Sequence, residues 1–169
     1  MIRRILKHGE SVLKVPTPPL VFEESRSGFP EILRDMWATM RAAKGVGLAA
    51  PQIGLSLRLA VVDVPVDGKS DRLVLINPEI VSREGEMFEE EGCLSVPGVY
   101  SRVRRHARVR IRALGIDGRP WERTGTGLLA RAFQHEVDHL DGKLFIDRLD
   151  LVGRLRAAAL IRDLRKTWK

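Results

Sequence analysis

The stretch "QHEVDHLDG", residues 134 to 142, places two histidines four positions apart with a glutamate directly after the first. Four positions is about one helical turn, so on a helix His135 and His139 project from the same face. The flanks carry that helix. In "TGLLARAFQHEVDHLDG" the apolar residues Leu129, Phe133, Val137 and Leu140 recur at helical spacing, and Gly142 offers a C-terminal stop. Two imidazoles on one face beside a carboxylate form the short zinc-hydrolase pattern, in which the glutamate handles the proton of water. The pattern fixes only three residues and supplies two ligands, one short of the three that an open catalytic site uses. A third ligand has to come from another part of the chain.

Outward from this helix, "FPEILRDMWATMRAAKG" predicts another, with a core stripe of Ile32, Leu33, Met36, Trp37 and Met40. Pro30 suits its first turn and Gly45 its exit. Residues 1 to 27 read as extended or irregular, limited by Pro16, Pro18 and Pro19. "GVGLAAPQIG" has neither helical nor strand periodicity. "LRLAVVDV" and "RLVLINPEIV" read as strands separated by a turn-rich "PVDGKSD", and "MFEEEGCLSVPG" as a further extended section. Ala107, Val109, Ile111 and Ala113 alternate with Arg108, Arg110 and Arg112, as on an antiparallel sheet with one buried and one wet face. "GIDGRP" is a turn, and "WERTGTG" completes a short hairpin strand. Near the C-terminus Leu151, Leu155, Ala158, Ile161, Leu164 and Trp168 form a helical stripe expected to dock on the body. Arg154, Arg156, Arg162, Arg165 and Lys166 surround it. Short strands with helices at both ends, and neither repeat nor linker, indicate one α+β domain over 1–169.

A chain of 169 residues can bury roughly two-thirds of its unfolded surface, enough for a real core. The start "MIRRILKHGE" lacks the apolar run of a secretory signal, and no apolar stretch approaches membrane-spanning length. A cytoplasmic location is therefore expected, with neither membrane nor DNA as partner. The formal charge of +7 would favour a polyanion nearby, but no zinc-finger spacing or aromatic RNA-binding signature accompanies it. A dedicated nucleic-acid module is not indicated.

The single cysteine, Cys93 in "EGCLSVPG", is the best candidate for the missing ligand. A divalent metal stabilises its thiolate, and a Cys-His-His set leaves a fourth tetrahedral position for water. Zinc suits such a site, and cobalt or nickel can also be accepted.

Three separated stretches together resemble the bacterial peptide deformylase family: "GVGLAAPQIG" at 45 to 54, "EGCLSV" at 91 to 96 and "QHEVDH" at 134 to 139. Their order and spacing fit that family, and the resemblance covers nearly the whole chain. It implies a compact fold of short, mainly antiparallel sheets around a central metal-binding helix, with a further C-terminal helix. It also implies that Cys93, His135 and His139 hold one divalent metal, commonly ferrous iron in this family. The implied reaction removes the formyl group from the N-terminal methionine of nascent polypeptides and releases formate. Glu136 becomes the acid-base residue, Gln52 the amide donor and Leu94 the source of a backbone N–H for the oxyanion. Val46 and Gly47 would border the cleft and present backbone groups to an extended peptide, with Gly92 on the opposite side. Arg131, one turn before His135, stands where some family members carry an apolar residue. Its aliphatic stem is expected to line the cleft while the charge reaches water.

The remaining acids and histidines carry less. His8 and His106 lack a ligand partner at a telling spacing, and Glu90 and Glu91 read as structural or solvated acids, Glu91 with a role in organising the cysteine loop. Tyr100 lies close enough to Cys93 for a substrate contact or for ordinary packing. Two other readings stay open: a peptidase built on the same helix, and a metal that merely pins strand to helix while the basic surface binds RNA. The second needs a fourth protein ligand, His8 or a carboxylate. The resemblance further implies access to nascent chains at the ribosome, where the C-terminal arginines would meet RNA phosphates.

Overall fold

The computed structural model describes residues 1–65 and 68–168. Val66 and Asp67 of the "PVDGKSD" turn, and Lys169, lie outside the described residues. The helices are α1 (Phe22–Ser25), α2 (Phe29–Ala42), α3 (Gly127–Leu140) and α4 (Leu151–Leu164). The strands are β1 (Gly47–Ala49), β2 (Leu59–Asp63), β3 (Arg72–Glu84), β4 (Met87–Cys93), β5 (Val96–Arg105), β6 (Arg108–Leu114) and β7 (Pro120–Thr126). Five strands form an antiparallel sheet in the order β1-β2-β3-β6-β7, and β4 and β5 pair separately as a hairpin. Five of the expected extended stretches are strands. The "irregular" start contains short helical turns at Ser11–Lys14 and Phe22–Ser25, and β5 had no distinct sequence expectation.

The sheet explains two different strand patterns. Around β2 both faces are covered: Ala60 and Val62 join a core with Phe133 and Val137 of α3, while Leu59 and Val61 join one with Leu33, Met36 and Met40 of α2. Burial on both faces gives the near-continuous apolar run "LAVV". Farther along the sheet, Val109, Ile111 and Ala113 of β6 face the α3 core, while Arg108, Arg110 and Arg112 are exposed. The clean alternation there follows from one dry face. Within β3 the register slips between Ile76 and Glu79, beside Asn77 with its positive φ of 50°. Pro78 is tolerated at that irregularity, and the Asn77 amide bonds both the N–H and C=O of Leu20 at 2.8 Å.

Helix α2 ends differently from expectation. Gly45 is not the left-handed residue at the exit; Lys44 is, at φ 56°, while the Gly45 N–H donates to Met40 O at 2.9 Å. In α3 the expected stripe holds, with Leu129, Phe133, Val137 and Leu140 all buried. Gly142 is the stop, at φ 69°, where a Cβ would lie 2.8 Å from the Lys14 carbonyl group.

The docking face of α4 needs correction. Leu151 and Leu155 are 73% and 64% exposed, and Ala158 is exposed too; the buried residues are Ala157 and Ile161, with Leu164 and Trp168 partly covered. Residues 157, 161, 164 and 168 lie within one stripe, whereas 151, 155 and 158 sit roughly 60–120° round the axis. The helix packs on Val96, Val99 and Val103 of β5 and on Leu144, Phe145 and Leu149. Its first turns run past the edge of that platform. Ile161→Ala should therefore lower unfolding free energy by about 2 kcal/mol, the low end for such truncations because a rim site can collapse. Leu155→Gln should leave it nearly unchanged. Denaturant melts of the two variants separate the covered half of the expected stripe from its exposed half.

Candidate metal centre

Helix α3 lies across the sheet with Glu136 and His139 buried and His135 half-buried. The end of β4 brings Cys93 to the same point. There the hairpin register changes, Gly92 pairing with Tyr100 and Cys93 with Val96. His139 Nε2 lies 3.2 Å from both Cys93 Sγ and His135 Nε2, and the three ligand atoms lie within 4.8 Å of one another. His135 Nδ1 is 2.5 Å from Glu91 Oε1, so it donates to that carboxylate and Nε2 faces the site with its lone pair. A thiolate and two imidazoles converging this closely fit a divalent cation far better than they satisfy one another. Cys93, His135 and His139 form a divalent-metal site. Among the described residues no fourth ligand joins the group. His8 and His106 lie elsewhere, His8 with its backbone N–H on Ser95 O and His106 with its ring on Gly85 O.

Behind the ligands stands a buried charge network that the sequence reading underestimated. Glu91 is 6% exposed and binds His135 on one side and Arg105 on the other, through Nε at 3.1 Å and Nη2 at 2.7 Å. Arg105 Nη1 also donates 2.5 Å to Asp138 Oδ2, and Arg148 holds Asp138 from the far side. Burial alone would raise the Glu91 pKa; the hydrogen bonds from His135 and Arg105 outweigh it and hold the carboxyl at about 2. Two signals were available. Glu91 and Cys93 are two apart on a strand and so share a side, and Arg105 takes an inward position on β5 where Val99 and Val103 precede it.

The other expected site residues line one cleft of about 650 Å³: Val46, Gly47, Gln52, Gly92, Leu94, Arg131 and Glu136, with Cys93 and His135 at its floor. Glu136 Oε2 is buried without a hydrogen-bond partner. Burial pushes its pKa up to about 7 against the opposing pull of His135. A Cβ on Gly47 would overlap the Glu136 carboxylate, and one on Gly92 would come within 2.6 Å of the Tyr100 ring. Gln52 Oε1 accepts from the Ala49 N–H at 2.8 Å, which turns Nε2 toward Ser95 Oγ at 3.1 Å and Cys93 Sγ at 3.7 Å. Arg131 differs in one respect from expectation: its Nη1 donates 2.8 Å to Glu90 O and grips the β4 backbone. Lys7, unmentioned by any motif, donates from Nζ to Leu94 O at 3.1 Å. Burial lowers its pKa, with Cys93 opposing.

A Cys-His-His metal site on an open cleft, with a buried carboxylate beside it, defines a metal-dependent hydrolase. The comparisons narrow that class. Residues 2–154 match the family model described as polypeptide deformylase. The peptide deformylase of Acidobacterium capsulatum is 46% identical over 98% of this chain and 95% of its own length. A crystal structure of a peptide deformylase from Legionella pneumophila, 46% identical, superposes with a TM-score of 0.88 over 99% of this chain and 97% of that one. A Met-Ala-Ser-bound class I type b peptide deformylase from Acinetobacter baumannii, 35% identical, gives 0.82 over 88% and 99%. The chain belongs to the polypeptide deformylase family. It is a metal-dependent hydrolase that removes N-formyl groups.

Glu91 generates a prediction about both metal and acid. Its folded pKa lies below the ordinary 4.5, so the stability it contributes is full above that value and is lost as pH falls through about 2. Glu91→Gln should flatten this part of the acid limb in a stability-pH curve. Loss of the carboxylate behind His135 should also weaken metal affinity by about 10–100-fold. An unchanged metal dissociation constant would remove Glu91 from the support of the ligands.

Proposed function

We propose that the chain deformylates the N-terminal formyl-methionine of nascent polypeptides, releasing formate. The observation that carries the residue roles is the unpartnered Glu136 oxygen beside three converging metal ligands at the floor of a cleft. A divalent metal held by Cys93, His135 and His139 supplies Lewis-acid chemistry and lowers the pKa of water. Family resemblance favours ferrous iron, with zinc, nickel or cobalt as substitutes.

Within that frame the chain's own groups divide the work. Glu136 accepts the proton of the attacking water and delivers it to the departing amine. Water's oxygen joins the formyl carbon, the C–N bond breaks, and the proton completes the new amino terminus. Gln52 Nε2 and the Leu94 N–H stabilise charge developing on the formyl oxygen. Val46 and Gly47 on one wall, and Gly92 on the other, pair with the backbone of an extended peptide. Arg131 lines the same wall as Gly92 and holds its strand through Glu90 O. The Met-Ala-Ser bound by the Acinetobacter baumannii relative has the form of a deformylated product and supports a methionyl peptide as the substrate class. Glu136→Gln should retain metal while kcat falls by about 10²–10⁴-fold. Metal content and turnover measured on one preparation check it; normal turnover at full occupancy would reject Glu136 as the proton carrier.

The cytoplasm is the proposed compartment; among the described residues no helix is long and apolar enough to cross a membrane. Transient ribosome contact through α4 is the finer proposal. Arg162, Arg165 and Lys166 are exposed on and just after that helix, where phosphate contacts would weaken as salt rises. Replacing the three by glutamine should leave turnover of a short formyl-Met peptide intact while salt-sensitive ribosome association falls. Unaltered affinity across a salt series would exclude them.

A further inference from the structure

Three cations from three parts of the chain converge on the mouth of the cleft. Lys7 belongs to the N-terminal segment, Lys44 to the loop between α2 and β1, and Arg131 to α3; all three line the cleft. Lys7 is held in place because its neighbours latch to the body, Leu6 N–H on Gln52 O and His8 N–H on Ser95 O, each at 2.8 Å. The Lys7 and Arg131 heads donate to the backbone carbonyls of Leu94 and Glu90. A neutral carbonyl orients a cation without cancelling its charge. None of the three has a carboxylate partner among the described residues. The acids of the cleft do not balance them: Glu91 is bound by Arg105 and His135, Glu136 is buried at the floor, and Glu90 alone is an exposed acid on the wall.

Lys44 is the left-handed residue that closes α2, and that cap fixes where its side chain leaves the helix beside the cleft. Its φ of 56° is left-handed backbone that glycine adopts at lower cost, and Gly45 stands next to it. The position fits. Lys44 is three residues before Gly47, which lies against Glu136, and Arg131 holds the carbonyl two residues before Gly92. Lys44 and Arg131 thus stand close in sequence or contact to Gly47 and Gly92, the two backbone positions proposed to hold an extended peptide.

We propose that this cationic mouth selects formylated peptides carrying an acidic side chain within the first few residues after the N-terminal one. The proposal rests on the formyl-peptide reading of the cleft. Exposed charge pairs are individually weak, so the preference for an acidic over a basic residue should be about fivefold at low ionic strength. Salt should shrink it as the Debye length shortens.

The test uses matched tripeptides, formyl-Met-Ala-Glu with formyl-Met-Ala-Lys and formyl-Met-Glu-Ala with formyl-Met-Lys-Ala. Each kcat/KM from formate release is divided by that of formyl-Met-Ala-Ala. Calorimetric binding of the same peptides to metal-loaded Glu136→Gln protein gives a readout that needs no turnover. The glutamate peptides should be preferred in both assays, less so in high salt. Lys44→Glu should reverse the ratio. Lys44→Gly should bring it toward unity while raising Tm, because relief of left-handed strain stabilises the fold as charge is lost. Equal or better handling of the lysine peptides by the parent protein overturns the proposal, as does a preference that Lys44→Glu and Arg131→Gln leave unaltered. Absence of formate from every formyl peptide would instead reject the substrate reading, and the binding ratios would still decide the role of the mouth.

Discussion

The buried Arg105 guanidinium, clamped between Glu91 and Asp138, is the constraint on which the metal centre depends. It crosses from the β4–β5 hairpin to α3, the two elements that deliver Cys93 and the histidines. Such a triad is weak evidence for stability, because desolvating the charges offsets much of their attraction. Removing one partner is another matter, costing about 3–5 kcal/mol through the uncompensated charge left behind. The clamp thus penalises any other placement of hairpin on helix. Cys93 and His139 can stay within ligand distance only while that placement holds.

The same network settles protonation. Glu91 takes the His135 Nδ1 proton as a hydrogen bond, and Arg105 keeps Glu91 ionised enough to do so. Glu136, one residue along the helix, has the opposite surroundings: no partner for Oε2, burial on all sides and a pKa pushed up to about 7. Two glutamates a few ångströms from the same histidine therefore have different chemistry. One is a fixed anion that orients a ligand; the other is a buried carboxyl whose pKa burial pushes up to about 7.

Much of this was legible in the residues. The histidine spacing marked α3 and its ligand face, and alternation from residue 107 onward marked β6 with its wet arginine side. What escaped depended on which face a segment buries and against what. The β4–β5 hairpin reads ambiguously because its outward face carries Phe88 and Tyr100, and its inward face carries Glu91 and Arg105, inverting the apolar-in rule at two positions. Helix α4 is a helix as its spacing indicates, but only the C-terminal half of the expected stripe docks. Its apolar residues outnumber those the platform can cover: Ile161, Leu164 and Trp168 of the expected stripe are covered, Leu151, Leu155 and Ala158 are not, and Ala157 takes a buried place the sequence did not mark. Periodicity identifies a stripe; only the partner surface decides how much of it is buried.

Glycine shows the complementary limit. Gly47 and Gly92 look in sequence like ordinary turn residues, yet both mark places where another group occupies the space of a side chain. At Gly47 that group is the Glu136 carboxylate, and at Gly92 it is the Tyr100 ring. At Gly47 and Gly92 the cleft wall is main chain, while the Gln52 and Glu136 side chains stand beside the metal ligands. On the proposed reading, a wall of bare backbone recognises the extended shape of a peptide and ignores most of its side chains. On that reading, breadth toward many nascent chains comes from pairing with the peptide backbone. Discrimination by charge then falls to the cationic side chains that line the cleft, Lys44 and Arg131 among them.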